Sequence, residues 1–82
     1  MSKLYEDFLR TLDEEIEKSS PEHREQIKIL FLQAWYNTFP DNSIAQFTKK
    51  FKHIRTFSRA IKYEASKILG RTFKQIKMGV RV

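Results

Sequence analysis

The sequence contains no cysteine at all, so neither a disulfide nor a thiolate metal site can brace it. Glycine and proline occur twice each. Two separate glycines, Gly70 and Gly79, cannot form a phosphate-cradling loop, and so few breakers favour long regular segments. Uninterrupted apolar runs are short, well under the roughly 20 residues needed to span a bilayer. Residues 1–20 are interrupted by Glu6, Asp7, Asp13, Glu14, Glu15 and Glu17, which is not a secretory leader pattern, so a soluble, cytoplasmic protein is expected. What remains must hold together by apolar packing. The chain has 82 residues, 40% of them hydrophobic, including seven Phe, three Tyr and one Trp. That composition suits one small domain burying about 60% of its unfolded surface. A domain of this size has a thin stability margin and often gains from pairing as a homodimer.

Charge is unevenly placed. Residues 1–25 carry eight acids and four bases, a net of −4, whereas residues 43–82 carry eleven bases against one acid, Glu64, a net of +10. Such asymmetry points to an anionic partner for the second half. The competing explanation is that the two halves neutralise each other within or between molecules.

Periodicity predicts an all-α fold, a three-to-four-helix domain with a central apolar helix. Tyr5, Phe8, Leu9, Leu12 and Ile16 form one stripe, giving a first helix over 3–18 capped by Ser2. Ser20 followed by Pro21 opens a second helix over 21–39, with the Ser20 hydroxyl as cap. Within it Ile27, Leu30, Phe31, Ala34 and Trp35 share one side, and Ile29, Leu32, Tyr36 and Phe39 spread over the rest, so burial on all sides is expected. Beyond the Pro40–Ser43 turn, Ile44, Phe47, Phe51, Ile54, Ser58, Ile61, Ala65 and Ile68 step alternately by three and four residues. This seam over 43–69 fits one helix of roughly 40 Å or two helices divided near 53–56 with Thr56 as cap. The division is preferred, because the longer helix would overhang a platform of about 25 Å. Gly70 is expected to end that segment and Thr72 to cap a last helix over 72–78, leaving 79–82 as a tail.

No group of reactive side chains converges in the sequence. His23 and His53 stand alone, without metal-pair spacing. The acidic run at 13–17 points in several directions around a helix. The chain is therefore expected to be non-enzymatic, without cofactor or metal. Its strongest functional signal is basic. On a helical projection Lys49, Lys52, Thr56, Arg59, Tyr63 and Lys67 share a face, Arg55 and Lys62 flank it, and Lys74 and Lys77 extend it. Lys49, Lys52, Arg55, Arg59, Tyr63, Lys67, Lys74 and Lys77 are the expected partner-binding residues. A protein partner comes first, with Phe57, Phe73 or Met78 as apolar anchors inside the basic rim. Nucleic acid is the alternative, since cations among hydroxyls and an aromatic suit phosphates. Peripheral contact with an anionic membrane is a third reading.

Two resemblances bear on these readings. Phe47, Phe51, Phe57, Glu64, Leu69, Thr72, Gln75, Ile76 and Lys77 resemble the homeodomain pattern, which implies a DNA-reading helix opening near Thr72. The chain departs from that pattern at Arg71 and Gly79, where a leucine and a tryptophan belong. The whole chain, from MSKLYEDFLRTLDEEIEK to its basic end, also resembles the lysis-inhibition accessory proteins of T-even phages, which are cytoplasmic antiholins. That resemblance implies a regulator bound to the cytoplasmic part of a holin. It supplies no site residues.

Overall fold

The computed structural model describes residues 3–79, with side chains through Lys77. It is all-α: α1 spans Lys3–Ile16, α2 Pro21–Thr38, α3 Ile44–His53 and α4 Arg59–Gly79, with no strand among the described residues. The Cα extents of 35 × 27 × 15 Å are those of a slab two helices thick. α1 lies mainly along α4 and α2 mainly along α3, while α2 also meets α4 and, lightly, α1.

The expected cap of α1, Ser2, lies outside the described residues. The helix stops at Ile16, two residues short of the expected Lys18, because Ser19 closes its last turn by donating from Oγ to the Ile16 carbonyl at 2.6 Å. Pro21 opens α2 as expected, but the Ser20 hydroxyl does not cap it. The Glu64 carboxylate on α4 does so instead, accepting from the Ser20 backbone N–H at 2.8 Å and from its hydroxyl at 3.3 Å. The Phe39–Pro40 peptide that follows α2 is cis. Ser43 caps α3, accepting from the Gln46 N–H at 3.1 Å.

The seam over 43–69 is divided, as the overhang argument favoured. Ile54 turns extended yet stays buried, and Phe57 packs against the core from the connection. The cap of α4 is Ser58, which accepts from the Ile61 N–H at 3.3 Å, and not Thr56, which is exposed. Ser58 is the one polar residue in the apolar series. A hydroxyl at that step can satisfy a free N–H of a new helix, where an apolar side chain cannot.

The expected break at Gly70 does not occur. Thr72 is fully buried, and its hydroxyl donates one turn back to the Ile68 carbonyl at 2.9 Å, which is an interior position. Ile61, Ala65, Ile68 and Thr72 form a continuous inward stripe, so the seam continues past the glycine. Gly70 sits on the outside, where an added Cβ would meet nothing. A lone glycine in a helix costs about 1 kcal/mol relative to alanine, which the packing of the following turns offsets. α4 ends at Gly79, one residue past the expected Met78, and the rest of the expected tail lies outside the described residues. Thr72, Gln75 and Lys77, where the homeodomain resemblance opens a helix, lie in the closing turns of one that began at Arg59.

The core is a connected set of rings. Phe8 is fully buried and meets Phe47 edge-on at 5.3 Å and Phe73 at 5.3 Å, while Phe31 stacks on Phe51 at 5.2 Å. Phe57 and Phe73 are thus partly buried core residues, not protruding anchors. The Met78 side chain lies outside the description.

Candidate functional site: a basic helix face and an apolar groove

All eight expected partner-binding residues are exposed, but they do not lie on one helix. Lys49 and Lys52 belong to α3 and Arg55 to the connection, because the division at 54–58 turns the chain away from a common projection. Arg59, Tyr63, Lys67, Lys74 and Lys77 all lie on α4. At 100° per residue these five, joined by Arg71, occupy about a third of the helix circumference, opposite the Ile61–Ala65–Ile68–Thr72 stripe. Because Gly70 does not break the helix, the face runs unbroken from Arg59 to Lys77, roughly 28 Å at 1.5 Å per residue. The Lys67 ammonium lies 4.8 Å from the centroid of the Tyr63 ring, a cation–π pair standing outside the fold.

The single acid of this half does not dilute the face. Glu64 is turned inward: besides capping α2 it lies 2.8 Å from His23 Nδ1. The His23 hydrogen bond first, and then the Ser20 N–H, hold the Glu64 carboxyl below the usual glutamate range. His23 is therefore partly buried in a tertiary contact, whereas His53 is exposed. A second inward acid, Glu15, has a side chain only 4% exposed and receives Arg71 Nε at 2.7 Å and Lys18 Nζ at 3.1 Å. Arg71 foremost lowers its pKa against the cost of burial. The acidic run thus splits: Glu15 joins α1 to α4, while Asp13, Glu14 and Glu17 stay on the surface. Glu17 pairs with Lys28 at 2.9 Å, which lowers the glutamate and raises the lysine. Neutralisation within the molecule therefore operates at the α1–α4 and α1–α2 seams, and the outside of α4 is left basic. No group of three or more metal-ligating side chains occurs among the described residues.

The structure also exposes a surface that sequence reasoning took for core. α2 buries only Ile27, Leu30, Phe31, Ala34 and Thr38. On its other side Ile29 is 40% exposed, Leu32 53% and Tyr36 69%, and Phe39, the extended residue just past the helix, is 69% exposed. In a slab two layers thick each helix keeps an outer side, so apolar residues all round cannot all be covered. A shallow groove of about 370 Å³ opens where α1 and α2 part, lined by Leu9, Leu12, Phe31, Leu32, Trp35 and Tyr36. Trp35 is half-buried at its wall, its ring 4.9 Å from that of Tyr5. The low amphipathicity of the α2 sequence was the available signal, and it has two readings: a buried helix, or a helix with two apolar sides.

No helix among the described residues is long and apolar enough to cross a membrane. Comparison with protein-family models, with curated proteins and with solved structures returns no match, so the fold and its two surfaces are what the functional reading rests on.

Proposed function

We propose that this chain is a non-enzymatic regulatory protein that docks on an anionic macromolecular partner through the outer face of α4. The observation that carries the reading is the unbroken basic face from Arg59 to Lys77, whose neighbouring acids, Glu15 and Glu64, are both turned inward. A protein partner fits best. A nucleic acid would engage the cationic face alone, whereas the exposed apolar side of α2 suits protein surfaces. The resemblance to phage antiholins makes an acidic cytoplasmic segment of a holin the first protein partner to test. The length of α4 favours the second reading, duplex DNA or RNA, because a helix of this length can follow a phosphate-lined groove.

One titration separates the two. Binding to a labelled DNA duplex and to the holin segment is measured at about 50 and about 200 mM salt, for the parent and for the Arg59→Glu/Lys67→Glu/Lys74→Glu variant. Under the protein reading, duplex binding is weak and falls by orders of magnitude with salt. The protein complex changes modestly with salt and is lost in the variant. A folded variant that keeps full activity in its host would remove the basic face from the function.

A further inference from the structure

The division of the seam at 54–58, which scatters the expected basic face, also builds a polar hollow. Lys50 and His53 lie one turn apart at the end of α3, and the chain then runs extended through buried Ile54. The Lys62 ammonium donates to the Ile54 carbonyl and ties this connection to α4. Lys50, His53, Arg55 and Thr56 thus border one hollow with Gln33 and Asn37, which lie one turn apart on α2. Its volume of about 480 Å³ is within the range of small-ligand sites.

Every polar side chain on the wall can donate: an ammonium, a guanidinium, a ring N–H, two amides and a hydroxyl. No carboxylate lines it, and the stretches that supply it, 26–40 and 42–63, contain no acid. Lys50, His53 and Arg55 form no ion pair among the described residues, whereas Lys18, Lys28 and Arg71 each meet a glutamate. Basic residues in a last turn also offset the partial charge of a helix C-terminus, about half an elementary charge. Two full charges, on Lys50 and Arg55, exceed that offset even though both α2 and α3 end nearby.

We propose that this hollow binds a phosphate monoester carried on a polar body. The two charges match a dianion, and the Arg55 fork and Lys50 ammonium suit its oxygens. Gln33, Asn37 and Thr56 complete the donor set. The hollow exceeds one phosphate group, so it also admits what the phosphate is attached to. Ile54 is the one apolar residue on the wall, and no Phe, Tyr or Trp lines it. The body is therefore a sugar or a peptide segment, since a nucleobase needs an aromatic surface to stack on. No lining residue belongs to α4, so this site stands apart from the face proposed above, and either can fail alone.

The isotope-labelled full chain is titrated with inorganic phosphate at constant ionic strength and followed by nuclear magnetic resonance. The side-chain amide signals of Gln33 and Asn37 and the Arg55 Nε–H signal should shift together and saturate, half-way at about 1 mM or below. Lys50→Gln with Arg55→Gln should weaken binding about tenfold or more, as charge-assisted contacts are lost. Lys3→Gln with Arg10→Gln removes equal charge from α1, which does not border the hollow, and should change binding less than about twofold. Signals that never saturate, or a hollow variant that binds like the parent, overturn the proposal. Should that variant fail to fold by circular dichroism, Asn37→Asp decides by placing a carboxylate in the hollow: undiminished binding overturns it. A hexose phosphate and a phosphoserine peptide, each beside its unphosphorylated form, separate a small molecule from a phosphorylated protein segment. The larger gain on phosphorylation identifies the source, and no gain for either sinks the site.

Discussion

The outer sides of α2 and α4 teach opposite lessons about the same periodicity. α4 has one apolar stripe, and the side opposite it is basic apart from Tyr63, so pattern and burial agree. α2 has apolar residues on both sides, and only one side is covered. The difference lies in the neighbours: α4 receives α1 along its length, whereas α2 meets α3 on one side and leaves the opposite side to solvent. Apolarity on all sides therefore records what a helix could bury, and the number of layers decides how much it does.

Two leucines two residues apart on α2 test this contrast most sharply. Leu30 is fully buried, and Leu30→Ala should cost about 2–5 kcal/mol, a large part of a small domain's stability. Leu32 is more than half exposed, and Leu32→Ala should cost under about 1 kcal/mol. Denaturant titration of both variants checks the pair, and equal losses would mean that α2 is covered on both sides after all.

The contacts that turn the acids of α4 and its neighbour inward predict the next largest effect. Glu64→Gln removes a charge-assisted cap on α2 and should cost about 1–2 kcal/mol, read from the thermal midpoint at neutral pH. Acid should act through the same groups. Glu15 and Glu64 both have folded pKa values below the ordinary 4.5, so they bind protons more readily when the chain is unfolded. Their contribution is thus complete above about pH 4.5 and declines as pH falls through the depressed values. Stability measured from pH 7 downward should stay level with respect to these two groups and then drop below that point. A Glu15→Gln/Glu64→Gln variant should show a shallower drop.

The smallest effect concerns Gly70, on the outside of α4. Gly70→Ala should stabilise the domain by up to about 1 kcal/mol, because it lowers the entropy of the unfolded chain and meets no neighbour. A loss of stability there would show that the helix needs a glycine at that point, and with it that the basic face is divided. The contrast between the two helices would then weaken.

Much of the fold was legible in the residues. The helical stripes of α1 and α4, the Ser20–Pro21 start, the turn at 40–43 and the all-α class follow from local rules that hold wherever the chain sits. The exposure of the basic residues followed from their place off the apolar seam. Other features depended on contacts between residues far apart in sequence. Ser20 gave up its capping role to Glu64, 44 positions away, and Arg71 joined Glu15 across 56. Gly70 and Thr72 carry the local signature of a helix end, yet the packing of Ile68, Leu69 and Phe73 against the core holds the helix through them. The open side of α2 is decided the same way. Periodicity states which residues would gain from burial, but coverage needs a neighbour. How many neighbours a helix has is set by how the whole chain divides into layers.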